Sequence, residues 1–86
     1  MPRISEFYGI LVYMYHLDHA PPHFHAIYGE FEAEIEVATG VVLRGSLPTR
    51  ARNLVQEWAR VHRVALMEDW RRARSGEPLR QIEPLE

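Results

Sequence analysis

From Phe31 to Val37 the chain alternates without interruption: Phe31, Ala33, Ile35 and Val37 are apolar, and Glu30, Glu32, Glu34 and Glu36 take the positions between and before them. A period of two marks a half-buried strand, one face on the core and a row of carboxylates turned to water. Ahead of it, His23 to Tyr28 reads as a second strand joined through Gly29-Glu30. With glycine first in a two-residue turn, Tyr28 faces Phe31, which sets His25 opposite Glu34 and His23 opposite Glu36. Phe24, Ala26 and Tyr28 then join the apolar face, and the histidines share the outer face with the glutamates. A slip of one residue would exchange the two faces. Phe7 to Tyr15 (FYGILVYMY) is apolar on both alternating faces and reads as one interior strand. Ala38-Thr39-Gly40 turns into Val41 to Arg44, a fourth strand.

At Pro48 the period changes. Ala51, Leu54, Val55, Trp58, Val61, Ala65 and Leu66 recur at helical spacing, with Pro48 suited to the first turn and Gly76 then Pro78 closing the helix. Asp69 falls on the projected apolar stripe while Trp70 falls off it, which predicts a kink or short break at 67–69. His62 lies at the stripe's edge, where a satisfied core histidine is the ordinary case. Residues 77–86 could add an edge strand. The expected fold is α+β in one domain over 1–86: an antiparallel sheet of about four strands (4–45), a long covering helix (48–75) and a tail (77–86).

Size and composition narrow the functional classes. Eighty-six residues support one modest core, so a partner or a second copy would add useful burial. No cysteine is present, which excludes disulfides, thiolate catalysis and every cysteine zinc motif. No signal-peptide pattern or membrane-length apolar run appears, so a cytoplasmic protein without a membrane partner is expected. The net charge of -2 hides a strong split. Residues 1–43 carry one Arg and six acids, whereas 44–80 carry nine Arg and four acids, and all ten basic residues are Arg. Arginine suits bidentate contact with carboxylate or phosphate, although a genome's codon bias produces the same usage.

Candidate chemistry gathers in DHAPPHFH, Asp18 to His25, which holds three of the five histidines. His23 and His25 leave one strand face together, and with Glu34 or Glu36 across the hairpin and Asp18 or His19 in the loop they offer three or four donors to zinc or another divalent metal. The same histidines could act as base and acid in phosphodiester cleavage, with Arg44 or Arg50 stabilising charge on the phosphate. The glutamates beside them, Glu34 foremost, would repel a polyanion unless neutralised or themselves catalytic. Cross-strand His and Glu also form ordinary surface pairs. On the helix, Arg52, Arg60, Arg63, Arg71 and Arg74 project within a third of the circumference, a geometry for nucleic acid that any amphipathic helix also produces. The split charge best fits a protein partner, either a cognate small protein or a homodimer.

With ISEFYGILVYMY, PPHFHAIYGE, EAEIEVATGVVLRGSLP, LVQEWARVHRVALMEDWRRARSGEP and IEPLE in view, the chain resembles the bacterial family called domain of unknown function 4160, from Ile4 to Leu85. The resemblance carries over His23 and His25 in its Pro-His-x-His segment and Trp58 and Trp70 in its helix, but not His19. It implies a short bacterial protein often encoded beside another small protein, similar to toxin and antitoxin pairs. The functional expectation is therefore a partner-binding component of such a two-gene module. The alternative is an RNA-cleaving or metal-dependent toxin using the His23/His25 hairpin, a ribonuclease-like or metal-dependent hydrolase.

Overall fold

The structure, a computed structural model, describes residues 2–86. Five strands come first, β1 (Arg3–Phe7), β2 (Ile10–Tyr13), β3 (His23–Tyr28), β4 (Phe31–Glu36) and β5 (Val42–Gly45), followed by helices α1 (Thr49–Val61) and α2 (Arg63–Arg74). The strands lie in the sheet in chain order, each antiparallel to the next, so β1 and β5 are its edges. The α+β expectation stands, with five strands instead of about four and two helices instead of one.

The extra strand comes from the segment read as one run, Phe7 to Tyr15. Tyr8 and Gly9 both have positive φ, 51° and 79°, and Phe7 pairs with Ile10. Two consecutive positive φ values match the twist of a tight hairpin. The β3–β4 register is the predicted one, with Tyr28 opposite Phe31, His25 opposite Glu34 and His23 opposite Glu36. Tyr28 and Phe31, expected in the core, are instead 38% and 39% exposed. They stand at the hairpin tip, and Tyr28 lines a cleft of about 250 Å³ that also takes in Tyr8, Pro48, Arg50 and Leu54. Between β4 and β5 the register shifts after Glu34, leaving Leu43 as the extra residue of a bulge.

α1 lays Ala51, Val55, Trp58 and Ala59 on the inner face of the sheet. The Trp58 ring meets Phe7 at 5.2 Å and Phe24 edge-on at 5.6 Å, and its Nε1–H donates to the Glu83 carbonyl at 2.8 Å. Trp58 and Phe24 are fully buried, and burying an aromatic of this size stabilises by about 2–3 kcal/mol.

The helix break falls at His62 (φ -108°, ψ 26°), not at 67–69. His62 still donates to Trp58 and accepts from Leu66, so one residue out of helical conformation re-aims the chain. Past it, Leu66, Asp69, Trp70 and Ala73 form one buried set, which reconciles Asp69 with Trp70. The buried Asp69 Oδ1 accepts from the Arg72 guanidinium at 2.8 Å and the Arg80 amide at 2.9 Å, fastening the tail. After the last helical turn, Gly76 (φ 75°) lets Glu77 N–H reach the Arg72 carbonyl and Gly76 N–H the Ala73 carbonyl, a Schellman closure. Residues 77–86 form no strand; they hold to β1 by Ile82 N–H to the Ile4 carbonyl and the Gln81 side chain to the Arg3 carbonyl. No described helix is long and apolar enough to cross a membrane.

Candidate functional site

On the outer face of the sheet one rung runs Tyr13, His25, Glu34, Arg44 across β2 to β5. His23 stands two residues from His25 on the same face, opposite Glu36. Residues 15–22 bring Tyr15, Asp18 and Pro21 over these histidines. Asp18 Oδ2 comes within 3.0 Å of His23 Nε2 and 3.2 Å of His25 Nε2, and Glu34 Oε1 lies 3.7 Å from His23 Nε2. Four residues picked out in the sequence, Asp18, His23, His25 and Glu34, are therefore one cluster.

The loop is held by the end of α2. Leu17 N–H donates to the Ala73 carbonyl, Arg74 Nη1 donates to the Asp18 carbonyl at 3.3 Å, and His16 Nε2 donates to the Glu77 carbonyl at 3.0 Å. The Trp70 ring packs 5.3 Å from His23 and the Tyr15 ring 4.3 Å from His25. This cover leaves His23 only 1% and His25 8% exposed, although both stand on the face that carries the glutamates.

His23 Nδ1 donates to the Pro21 carbonyl at 2.8 Å, because a carbonyl can only accept. Its Nε2, the nitrogen aimed at Asp18, is then a lone pair in the neutral ring and an N–H only in the cation. His25 Nδ1 is buried without a hydrogen bond, 3.5 Å from Glu32 Oε2. Burial pushes the Asp18 carboxyl up, but hydrogen bonds from His25 and the His19 amide, with the adjacent histidines, outweigh it and hold the group below its ordinary value. Burial, followed by the Glu32 charge, raises the Tyr15 phenol.

The other candidates lie apart from this cluster. Arg44 shares the rung but stands two strands from His25, roughly 9–10 Å away, with Glu34 between them. Arg50 lines the cleft at the Tyr8 and Tyr28 end. His19 is mostly exposed and meets Asp18 Oδ1 at 3.0 Å. Arg52, Arg60, Arg63, Arg71 and Arg74 are all exposed, but the break at His62 divides the face they were expected to share.

The model of the family described as a domain of unknown function (DUF4160) matches residues 9–71. The chain belongs to the DUF4160 family. The match is narrower than Ile4 to Leu85, yet it takes in Asp18, the histidine hairpin and Trp70. No curated protein and no solved structure matches the chain. Within the DUF4160 segment, sequence reasoning missed the roles of Tyr15, the Pro21 carbonyl and Trp70. Only Trp70 left a signal, as the tryptophan off the projected stripe; the others depend on how the loop folds back.

Proposed function

We propose that this DUF4160 protein is a partner-binding component of a toxin–antitoxin-like pair, meeting an acidic protein surface through the arginines that flank the break between its helices. The observation that carries the reading is the cationic charge left without a carboxylate partner. Among the described residues, Arg3 and Arg72 alone of the ten arginines pair with a carboxylate. Arg60 and Arg63, on either side of the His62 break, line one cleft of about 210 Å³ with Thr39 and Gln56. Val61 and Val64 between and beside them are 67% and 73% exposed. Guanidinium forks interleaved with bare apolar side chains suit a protein interface better than a phosphate backbone, whose recognition is dominated by charge.

Co-expression with the product of the adjacent reading frame tests this. The two chains are expected to co-purify, and Arg60→Glu/Arg63→Glu to weaken the complex by about 100-fold, since like-charge juxtaposition costs several kcal/mol. Absence of a complex, or a dissociation constant indifferent to the reversal, overturns the reading, and salt-sensitive binding of RNA instead replaces the partner with nucleic acid. The alternative of an RNA-cleaving or metal-dependent toxin needs His23 and His25 to meet a substrate. Their burial and the distance of Arg44 favour it less. It predicts growth arrest on expression that His23→Ala/His25→Ala relieves at equal soluble protein, and arrest that persists without the histidines overturns it.

A further inference from the structure

We propose that Asp18, His23 and His25, with Glu34 as fourth ligand, hold one divalent transition-metal ion of the zinc type. Neither the ion nor its test depends on the partner proposed above. Asp18, His23 and His25 each present one donor atom, all within 4.8 Å of one another. A tetrahedral site with bonds of about 2.1 Å sets its donors about 3.4 Å apart. The separations of 3.0 and 3.2 Å from Asp18 to the histidines fall just under that edge, and Glu34, 3.7 Å from His23 but outside the set of three mutually close donors, closes the site by a shift of its partly exposed side chain.

Protons alone serve the cluster poorly. With Nδ1 of His23 committed to the Pro21 carbonyl, a hydrogen bond from its Nε2 to Asp18 requires an imidazolium at 1% exposure, and burying a cation is costly. If neutral His25 donates to Asp18 through Nε2, its Nδ1 lone pair faces the Glu32 carboxylate and stays unpaired. A metal ion resolves both. It takes the two Nε2 lone pairs, leaves Nδ1–H of His23 on Pro21, and turns Nδ1–H of His25 toward Glu32. Carbonyl and carboxylate partners behind metal-bound imidazoles are the usual way a ligand ring is oriented. Two carboxylates and two neutral imidazoles cancel a double positive charge, and this mixed N/O set selects zinc-like ions over magnesium or calcium.

The test uses the full untagged chain stripped with a chelator, titrated with zinc against a chromophoric competitor and separately with cobalt(II). One ion per chain and the intense visible bands of four-coordinate cobalt are expected. His25→Ala and Asp18→Asn should each weaken zinc by at least about 100-fold, and Glu32→Gln by about 10-fold, the range for an outer partner. Glu30→Gln, on the exposed hairpin turn, should leave affinity unchanged. Should a core variant fail to fold, Glu34→Gln and Glu32→Gln, at partly exposed carboxylates, carry the comparison. No zinc uptake with pale six-coordinate cobalt overturns the site, as does equal affinity in wild type, Glu34→Gln and Glu32→Gln.

Discussion

Replacing Gly45 by alanine, beside the same change at Gly29, separates a close backbone approach from a simple conformational cost. Gly45 closes β5 at φ +75°, and a Cβ there would fall on the Glu32 carbonyl oxygen, 3.1 Å from that carbonyl carbon and 3.2 Å from Ala33 Cα. These are backbone atoms of β4, so they cannot swing aside as a side chain would. Gly29, at φ +59° in the β3–β4 turn, has nothing within 4 Å of the corresponding position. Left-handed backbone costs an L-residue about 1–2 kcal/mol, and the lost freedom of the unfolded chain returns about 0.4–1 kcal/mol, so Gly29→Ala should cost near 1 kcal/mol. Gly45→Ala adds the strain of parting β4 from β5, about 1–3 kcal/mol by the scale of overpacking, for a total near 2–4 kcal/mol. Urea unfolding measures both, and the melting temperatures should separate by about 4–8 °C for each kcal/mol of difference. Superimposable unfolding curves for the two variants would refute the close approach at the end of β5.

Asp69→Ala removes the acceptor shared by the Arg72 guanidinium and the Arg80 amide, and should cost about 2–4 kcal/mol in chemical denaturation while speeding deuterium exchange at Arg80; unchanged exchange would show that the tail is fastened elsewhere. In metal-free protein, Asp18 supplies a pH dependence of definite sign. Burial acts to raise its carboxyl, but the His25 bond and its neighbours hold it below the ordinary 3.8, so its stabilisation is full above that value and drains away as pH falls through the lower folded one. The stability gap between wild type and Asp18→Asn should therefore close on acidification, and a gap independent of pH would contradict the assignment.

The parts of the fold legible in the sequence are those written in local chemistry. Glutamates alternating with Ala33, Ile35 and Val37, and Gly29 at the turn, were enough for the β3–β4 register, and with it the common face of His23, His25 and Glu34. The first hairpin was hidden because its residues are apolar on both faces and the turn opens with Tyr8, a non-glycine at positive φ; Gly9 inside the run was the available clue. The Asp69–Trp70 conflict announced a helix break, but its position at His62, five to seven residues before the expected 67–69, depends on how the two helices seat on the sheet. At the site, histidines beside a glutamate row imply solvent, whereas the structure covers them with Tyr15, Asp18 and Trp70. Those contacts join β3 to segments distant along the chain, and spacing along one strand carries no trace of them.

The attachment of residues 81 and 82 to β1 has a consequence for association. Carbonyls of Arg3 and Ile4 are already occupied along that margin of the sheet, while β5 pairs only with β4 in the sheet order. Residues 81 and 82 thus blunt one of the two edges at which strand addition, and with it open-ended growth into a fibre, would start.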